Sequence, residues 1–121
     1  MARVLRPSDA EVLALRGRRA SVLLEGADTA GQMTVRVVEV EPEDRANAPR
    51  PLHVHEGVGE FIWILEGTGL LHCDQGVVPA HQGEVVYIPP GEMHKIMPSG
   101  DEPLHLLCVF PTGDIAARTK E

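Results

Sequence analysis

His-Val-His-Glu-Gly-Val-Gly-Glu, residues 53–60, is the stretch around which the chain is organised. Residues two apart in a strand point to the same face, so His53 and His55 are predicted to aim into one space, with Val54 aimed away. Glu60 opens the next apolar run and faces the same space if that run pairs back on the first. Two imidazoles and a carboxylate are costly to bury without partners, and a divalent metal ion is the simplest partner for all three.

A second stretch, residues 83–94, ends on a further histidine. It reads Gly-Glu-Val-Val-Tyr-Ile-Pro-Pro-Gly-Glu-Met-His. Pro89 and Pro90 lack the backbone N–H that a sheet ladder needs, so a strand is predicted to end there. Gly91 permits a tight reversal. His94 then begins the return strand, where its side chain can face inward.

Together the two stretches resemble the paired motifs of the cupin superfamily, in its small single-domain form of the cupin 2 conserved-barrel type. The first motif reads His-x-His, four residues, Glu, six residues, Gly; the second reads Gly, five residues, Pro-x-Gly, two residues, His. These positions are filled by His53, His55, Glu60, Gly67, Gly83, Pro89, Gly91 and His94. Asn47 and Pro98 stand where the family pattern has Gly and Asn, and both departures are expected to affect turns and not ligands. The resemblance implies that the metal ligands are His53, His55, Glu60 and His94.

The order of apolar runs and turns predicts an all-β fold. Many short runs separated by Gly- and Pro-containing turns are typical of a sandwich or barrel. The resemblance implies an antiparallel double-stranded β-helix, or jelly-roll, barrel. We expect one domain over residues 1–121, with the core barrel at about 20–110 and a polar tail at 111–121.

Four local predictions concern the segments around the motifs. Residues 7–11 look like a capping box that opens a short N-terminal helix near residues 8–16. Residues 66–69 are predicted to be a hairpin turn. The loop 41–51 leads into His53 and is expected near the mouth of the site, either as a plain connector or as a lid. The polar tail is expected to be disordered or to cross to a partner.

The composition argues against several classes of function. Asp and Glu outnumber Lys and Arg by 18 to 11, a net charge of −7, which argues against nucleic-acid binding because that selects basic surfaces. No apolar run reaches the length of a membrane span. The N-terminus lacks the apolar core of a signal peptide, so a cytoplasmic location is predicted. Cys73 and Cys108 are predicted to be free thiols.

Several further side chains are candidates for the surroundings of the site. His105 is a candidate for supporting a metal ligand or moving a proton at the cavity, because the resemblance implies that the final strand lines the barrel. His72 and His81 are expected to be hydrogen-bonded strand histidines, and Glu56 is expected to face solvent. Candidates for holding a substrate carboxylate are Arg36, Arg45 and Arg50. Aromatic side chains that either line a pocket or pack between sheets or at a dimer interface are Phe61, Trp63, Tyr87 and Phe110.

The proposed ligands suit one divalent transition metal ion, whether Fe, Mn, Ni, Cu or Zn. Three neutral imidazoles and one carboxylate leave it with a net charge of about +1, which favours a small anionic substrate. The resemblance implies a metal-dependent enzyme, most commonly a dioxygenase-type oxidoreductase. A metal-dependent isomerase or lyase and a non-catalytic small-molecule or metal-binding module are the alternatives. We expect a homodimer, because a barrel this small leaves apolar strand edges and faces.

Overall fold

The computed structural model describes residues 1–44 and 49–121. Within them a 3-10 turn lies at Pro7–Asp9, and two one-turn helices are α1 (Gly26–Thr29) and α2 (Ile115–Arg118). None of these helices is long or apolar enough to cross a membrane. The strands in the same residues are β1 (Glu11–Leu15), β2 (Arg18–Leu24), β3 (Thr34–Val40), β4 (Val54–His55), β5 (Glu60–Glu66), β6 (Thr68–Cys73), β7 (Gly76–His81), β8 (Val85–Ile88), β9 (Lys95–Pro98), β10 (Leu104–Phe110) and β11 (Thr119–Lys120).

The strands form the predicted antiparallel jelly roll. The larger sheet has the order β1-β2-β3-β10-β5-β8, a smaller sheet has the order β7-β6-β9, and β4 pairs with β11. Side chains alternate along each strand, so one face of the larger sheet is apolar. On β10 this buried face carries Leu104, Leu106, Cys108 and Phe110. Ala80 of the smaller sheet joins the same core, so the core lies between the two sheets.

The prediction of a helix near residues 8–16 is wrong. The 3-10 turn is followed by β1, which pairs with β2 from Glu11 opposite Val22 to Leu15 opposite Arg18. Over so short a length, the spacing of the apolar residues is compatible with both the helical period and the strand period. Pairing with β2 decides between them, because a ladder of backbone hydrogen bonds outweighs the small differences in local propensity.

The turn at residues 66–69 is not the predicted hairpin. β5 pairs with β10 and β8, whereas β6 pairs with β7 and β9, so the chain passes from one sheet to the other at Gly67. The φ angle of Gly67 is 97°, a left-handed conformation that favours glycine. A Cβ there would also lie 3.1 Å from the carbonyl oxygen of Pro103. Glycine is equally compatible with a hairpin turn and with a passage between two sheets, so the sequence does not distinguish between them.

The segment after β10 is not disordered, because it forms α2 and β11 and folds back onto its own chain. Ile115 of α2 is only 2% exposed. β11 then pairs with β4, with Thr119 opposite His55 and Lys120 opposite Val54. The polar tail therefore lies directly beside the histidine strand.

Candidate metal centre

The fold brings the four predicted ligands into one cluster. His53 and His94 are joined backbone to backbone, since His53 N donates to His94 O at 2.9 Å and His94 N donates to His53 O at 2.8 Å. His55 follows in β4, and its side chain is buried. Glu60 arrives from the larger sheet, opposite Ile88 of β8, and not by pairing with the histidine strand as the sequence suggested. One potential ligand atom from each residue lies within 4.8 Å of the others.

The hydrogen bonds around His55 fix where its ring proton sits. The Thr119 hydroxyl donates to Ile115 O at 2.8 Å, so its oxygen accepts from Nδ1 of His55 at 2.9 Å. His55 Nε2 is then left with a lone pair in the neutral ring. This atom lies 3.2 Å from Oε1 of Glu60, and it has no aligned hydrogen-bond partner among the described residues.

His94 is held in the same tautomer by its own chain. Its Nδ1 lies 2.8 Å from the carbonyl oxygen of Glu92, which can only accept, so Nδ1 carries the proton. In the neutral ring Nε2 bears a lone pair, 3.1 Å from Oε1 of Glu60. Two acceptor atoms this close repel each other unless a proton or a cation lies between them.

The titration of the cluster favours ligands in their metal-binding forms. Burial, reinforced by His94 and His55, lowers the pKa of His53 to about 3, so this ring is neutral near pH 7. Burial by itself would raise the pKa of Glu60, but its contacts with His55 and His94 outweigh burial and hold the pKa at about 2. An ionised carboxylate and a neutral imidazole are what a metal ion requires.

The donor set therefore fits a divalent transition metal ion. The Nε2 atoms of His55 and His94 lie 3.2 and 3.1 Å from the same carboxylate oxygen of Glu60, so a proton or a shared cation must lie between each nitrogen and that oxygen. Imidazole nitrogen and carboxylate oxygen suit Fe, Mn, Ni, Cu and Zn alike, so the ligands do not select among them. The hydrogen bonds from Nδ1 of each ring are the outer contacts that orient histidine ligands in metal sites.

A cavity of about 70 Å³ adjoins the cluster. Its walls combine the four cluster residues with apolar side chains from the inner face of the larger sheet, including Ile62, Leu106 and Phe110. Cys108 also lines it; burial, and next the charge of Glu60, raise the pKa of this thiol well above its usual value, so the thiol stays protonated and unreactive. Both Cys73 and Cys108 are free, as predicted.

Three arginines line the cavity among the described residues. Arg36 of β3 and Arg50, just before β4, were predicted from the sequence as partners for a substrate carboxylate. Arg18 of β2 was missed. Arg18 lies opposite Val40 and Val22 lies opposite Arg36, so both arginines share the inward face, a fact that only the strand register reveals. Arg45 lies outside the described residues.

The structure does not bring the other predicted histidines to the cavity. His105 lies opposite Glu39 and alternates with the buried residues of β10, so it faces away from the cavity. The prediction that it acts beside the metal ligands is therefore not supported. His81 is exposed, and its Nδ1 lies 2.9 Å from Oε1 of Glu84. His72 is half-buried in β6, opposite Val77 and Lys95.

The remaining candidates divide between the two faces of the barrel. Phe110 lines the cavity, whereas Phe61, Trp63 and Tyr87 are exposed on the outer face of β5 and β8. Glu56 faces solvent as predicted, with Oε1 3.2 Å from Nζ of Lys120.

Thr119, like Arg18, is a residue near the site that sequence reasoning missed, since nothing in the local sequence links it to His55. We expect Thr119→Val to weaken metal binding by about 10- to 100-fold, because the His55 ring loses the partner that orients it. Thr119→Ser, which keeps the hydroxyl, should restore most of the affinity. Competition with a chelator measures both variants. Equal affinities for Val, Ser and wild type would show that this hydrogen bond does not orient the ring.

The fold and the cluster together define a small β-barrel with a buried histidine–carboxylate group able to hold a metal ion. A sequence model of the family described as Cupin domain matches residues 36–110. The chain belongs to this family.

Three similar proteins illustrate the relationship. An uncharacterised protein of Methanocaldococcus jannaschii is 42% identical over 57 residues, which cover 47% of this chain and 46% of that protein. An oxalate-binding protein of Thermotoga maritima is 40% identical over 59 residues, 49% of each chain. This chain thus matches only about half the length of these curated relatives. The crystal structure of a predicted oxalate decarboxylase from Thermotoga maritima superposes with a TM-score of 0.75 at 27% identity, over 91% of this chain and 99% of that one.

Proposed function

We propose that the chain is a metal-dependent cupin enzyme that acts on a small organic anion. The observation that supports it best is the convergence of two imidazole nitrogens, from His55 and His94, on one carboxylate oxygen beside a cavity that contains arginine. The ligands of the proposed ion are His53, His55, Glu60 and His94. Acidic substrates are favoured despite the net charge of −7, because the local charge of the cavity, not the total, acts on a bound molecule.

The reaction class is proposed in two forms. A bound ion would supply Lewis-acid polarisation or, as iron or copper, reaction with O₂. The first candidate is a dioxygenase-type oxidoreductase, the commonest activity implied by the family. The second is a lyase that needs no net oxidant, and the likeness to a predicted oxalate decarboxylase supports it. In either form the arginines hold the substrate's charge, and the apolar side chains of Ile62 and Leu106 exclude water.

Turnover with and without oxygen tests these forms. The apo protein is reloaded separately with Fe²⁺, Mn²⁺, Ni²⁺, Cu²⁺ and Zn²⁺ and supplied with a panel of small hydroxy-, keto- and dicarboxylic acids. Oxygen uptake that matches product formation identifies a dioxygenase, whereas product formed at the same rate without oxygen identifies a lyase or an isomerase. Tight binding with no product under any condition would favour the non-catalytic binding module.

Anion binding at the centre provides a test that needs no turnover. We expect lactate to bind the metal-loaded protein at least about tenfold more tightly than lactamide, because only the acid offers a charged oxygen to a centre of net positive charge. Isothermal titration calorimetry measures both. If acid and amide bind equally, or if the apo protein binds lactate as tightly as the loaded protein, the proposed role of the metal is wrong.

We also propose that the chain forms a homodimer through the outer face of β5 and β8. Trp63 is 45% and Tyr87 65% exposed on this face, where Phe61 lies opposite Tyr87. Large aromatic side chains grouped on a surface are typical of interfaces. Trp63→Glu is expected to give monomers in light scattering at micromolar concentration. The matched control is Val12→Glu on β1, which is also 45% exposed and should leave the dimer intact; the opposite result would place the interface at the N-terminal strands.

A further inference from the structure

The three cavity arginines are a charge arrangement that the metal cluster by itself does not explain. Arg50 is only 6% exposed, and its Nη2 donates to Ile96 O at 2.9 Å. Its Nε and Nη1 have no hydrogen-bond partner among the described residues, and the same is true of Nε of Arg36. Buried donors are normally paired, because leaving one unpaired costs about 1–3 kcal/mol. Unpaired N–H groups on two arginines of one cavity therefore indicate a missing acceptor.

The charges in the cavity point the same way. Among the residues that line it, three guanidinium groups stand against the single carboxylate of Glu60. Burial, and next the positive charge of Arg18, lower the pKa of Arg50 to about 10, and burial lowers the pKa of Arg36 as well. All remain charged at neutral pH, so the like charges repel. A divalent ion at the histidine cluster would increase the excess of positive charge. One substrate carboxylate bound to that ion would not neutralise this excess.

We infer that Arg18, Arg36 and Arg50 form a second anion subsite, and that the substrate is a short dicarboxylate with one end on the metal and the other on these arginines. This inference rests on the proposed function, because it assigns the first carboxylate to the metal centre. The planar guanidinium group suits a carboxylate, since it can present two parallel N–H donors to it. The cavity measures only about 70 Å³, so the acid must be short.

Malate and its 4-amide separate the two ends of such a ligand. Both keep the same hydroxy-acid end for the metal, and they differ only in whether the distal group is charged. In calorimetry on zinc-loaded protein, we expect malate to bind at least about tenfold more tightly than the amide, as a charge-assisted hydrogen bond predicts. In the apo protein both bind more weakly, and malate should keep its advantage because the arginines are unchanged.

The variants identify the side chains responsible. Arg18→Gln and Arg36→Gln should each reduce the advantage of malate to below about threefold and change the affinity for the amide by less than about twofold. Arg19→Gln is the matched control. This substitution removes the same charge from β2, but the Arg19 side chain is exposed and lies opposite Glu39. Because Arg36 has an unpaired buried donor, Arg36→Gln should melt no lower than wild type, which separates lost binding from misfolding.

The outcomes separate this inference from the proposed function. If lactate does not bind zinc-loaded protein, the proposed role of the metal is wrong. The comparison of malate with its 4-amide in the apo protein still tests the arginines. If lactate binds but malate and its amide bind equally, the second subsite is wrong and the metal role stands. An equal loss in Arg19→Gln and Arg36→Gln would mean a long-range charge effect, and it would overturn the subsite.

Discussion

His94→Ala is expected to reduce bound metal from about one ion per chain to less than about a tenth, a loss of affinity of at least about 100-fold. Removing an outer partner of a ligand already costs 10- to 100-fold, and here a ligand itself is removed. His94 also contributes to the structure, because its side chain is fully buried and its backbone bridges to His53. Elemental analysis of protein purified without added metal gives the occupancy. His94→Asn, which leaves less empty volume, shows whether the loss comes from the ligand or from packing.

Two carboxylate variants control this result. Glu60→Gln should weaken metal binding, because an amide oxygen is neutral and a poorer donor. Glu56→Gln should bind metal as wild type does, since Glu56 faces Lys120 at the surface. Equal losses at Glu56 and Glu60 would mean that the wrong carboxylate has been assigned.

Gly113→Ala is expected to destabilise the protein by about 3 kcal/mol or more and to weaken metal binding as well. A Cβ at Gly113 would overlap the Cα of Gly26 and lie 3.0 Å from the Cα of Gly31. These are backbone atoms, so no side chain can rotate away. Gly113 also donates its N–H to Gly31 O at 3.0 Å, which fixes the start of the segment that carries Thr119 to His55.

The double effect of Gly113→Ala distinguishes it from simple loss of stability. Displacing the C-terminal segment should reproduce the affinity loss of Thr119→Val at a temperature where the variant is still folded. Gly100→Ala is the control, because a Cβ there meets nothing within 4 Å. Chemical denaturation and chelator competition, measured on the same samples, give both quantities. Wild-type stability in Gly113→Ala would mean that the contact with Gly26 relaxes freely.

The spacing of the two motifs was enough to predict the fold and to select four residues that the structure brings within 4.8 Å of one another. The physical reason is local. Strand alternation places His53 and His55 on one side, and the Pro-Pro-Gly turn places His94 at the start of the next strand. The mid-strand charge of Arg36 indicated either solvent or a polar cavity, and the strand register places it at the cavity.

Only the tertiary structure decided features that depend on pairing between distant segments. β1 is a strand because β2 is beside it, and residues 66–69 cross between sheets because β5 and β6 have other partners. Thr119 meets His55 across 64 positions of the chain, and Arg18 reaches the cavity through the register of β2 with β3. A sequence pattern shows the spacing of apolar residues within a segment and the identity of its neighbours in the chain. Which distant segment supplies the hydrogen-bond partner is set by the free energy of the whole fold, so the contact of Thr119 with His55 and the place of Arg18 at the cavity emerged only there.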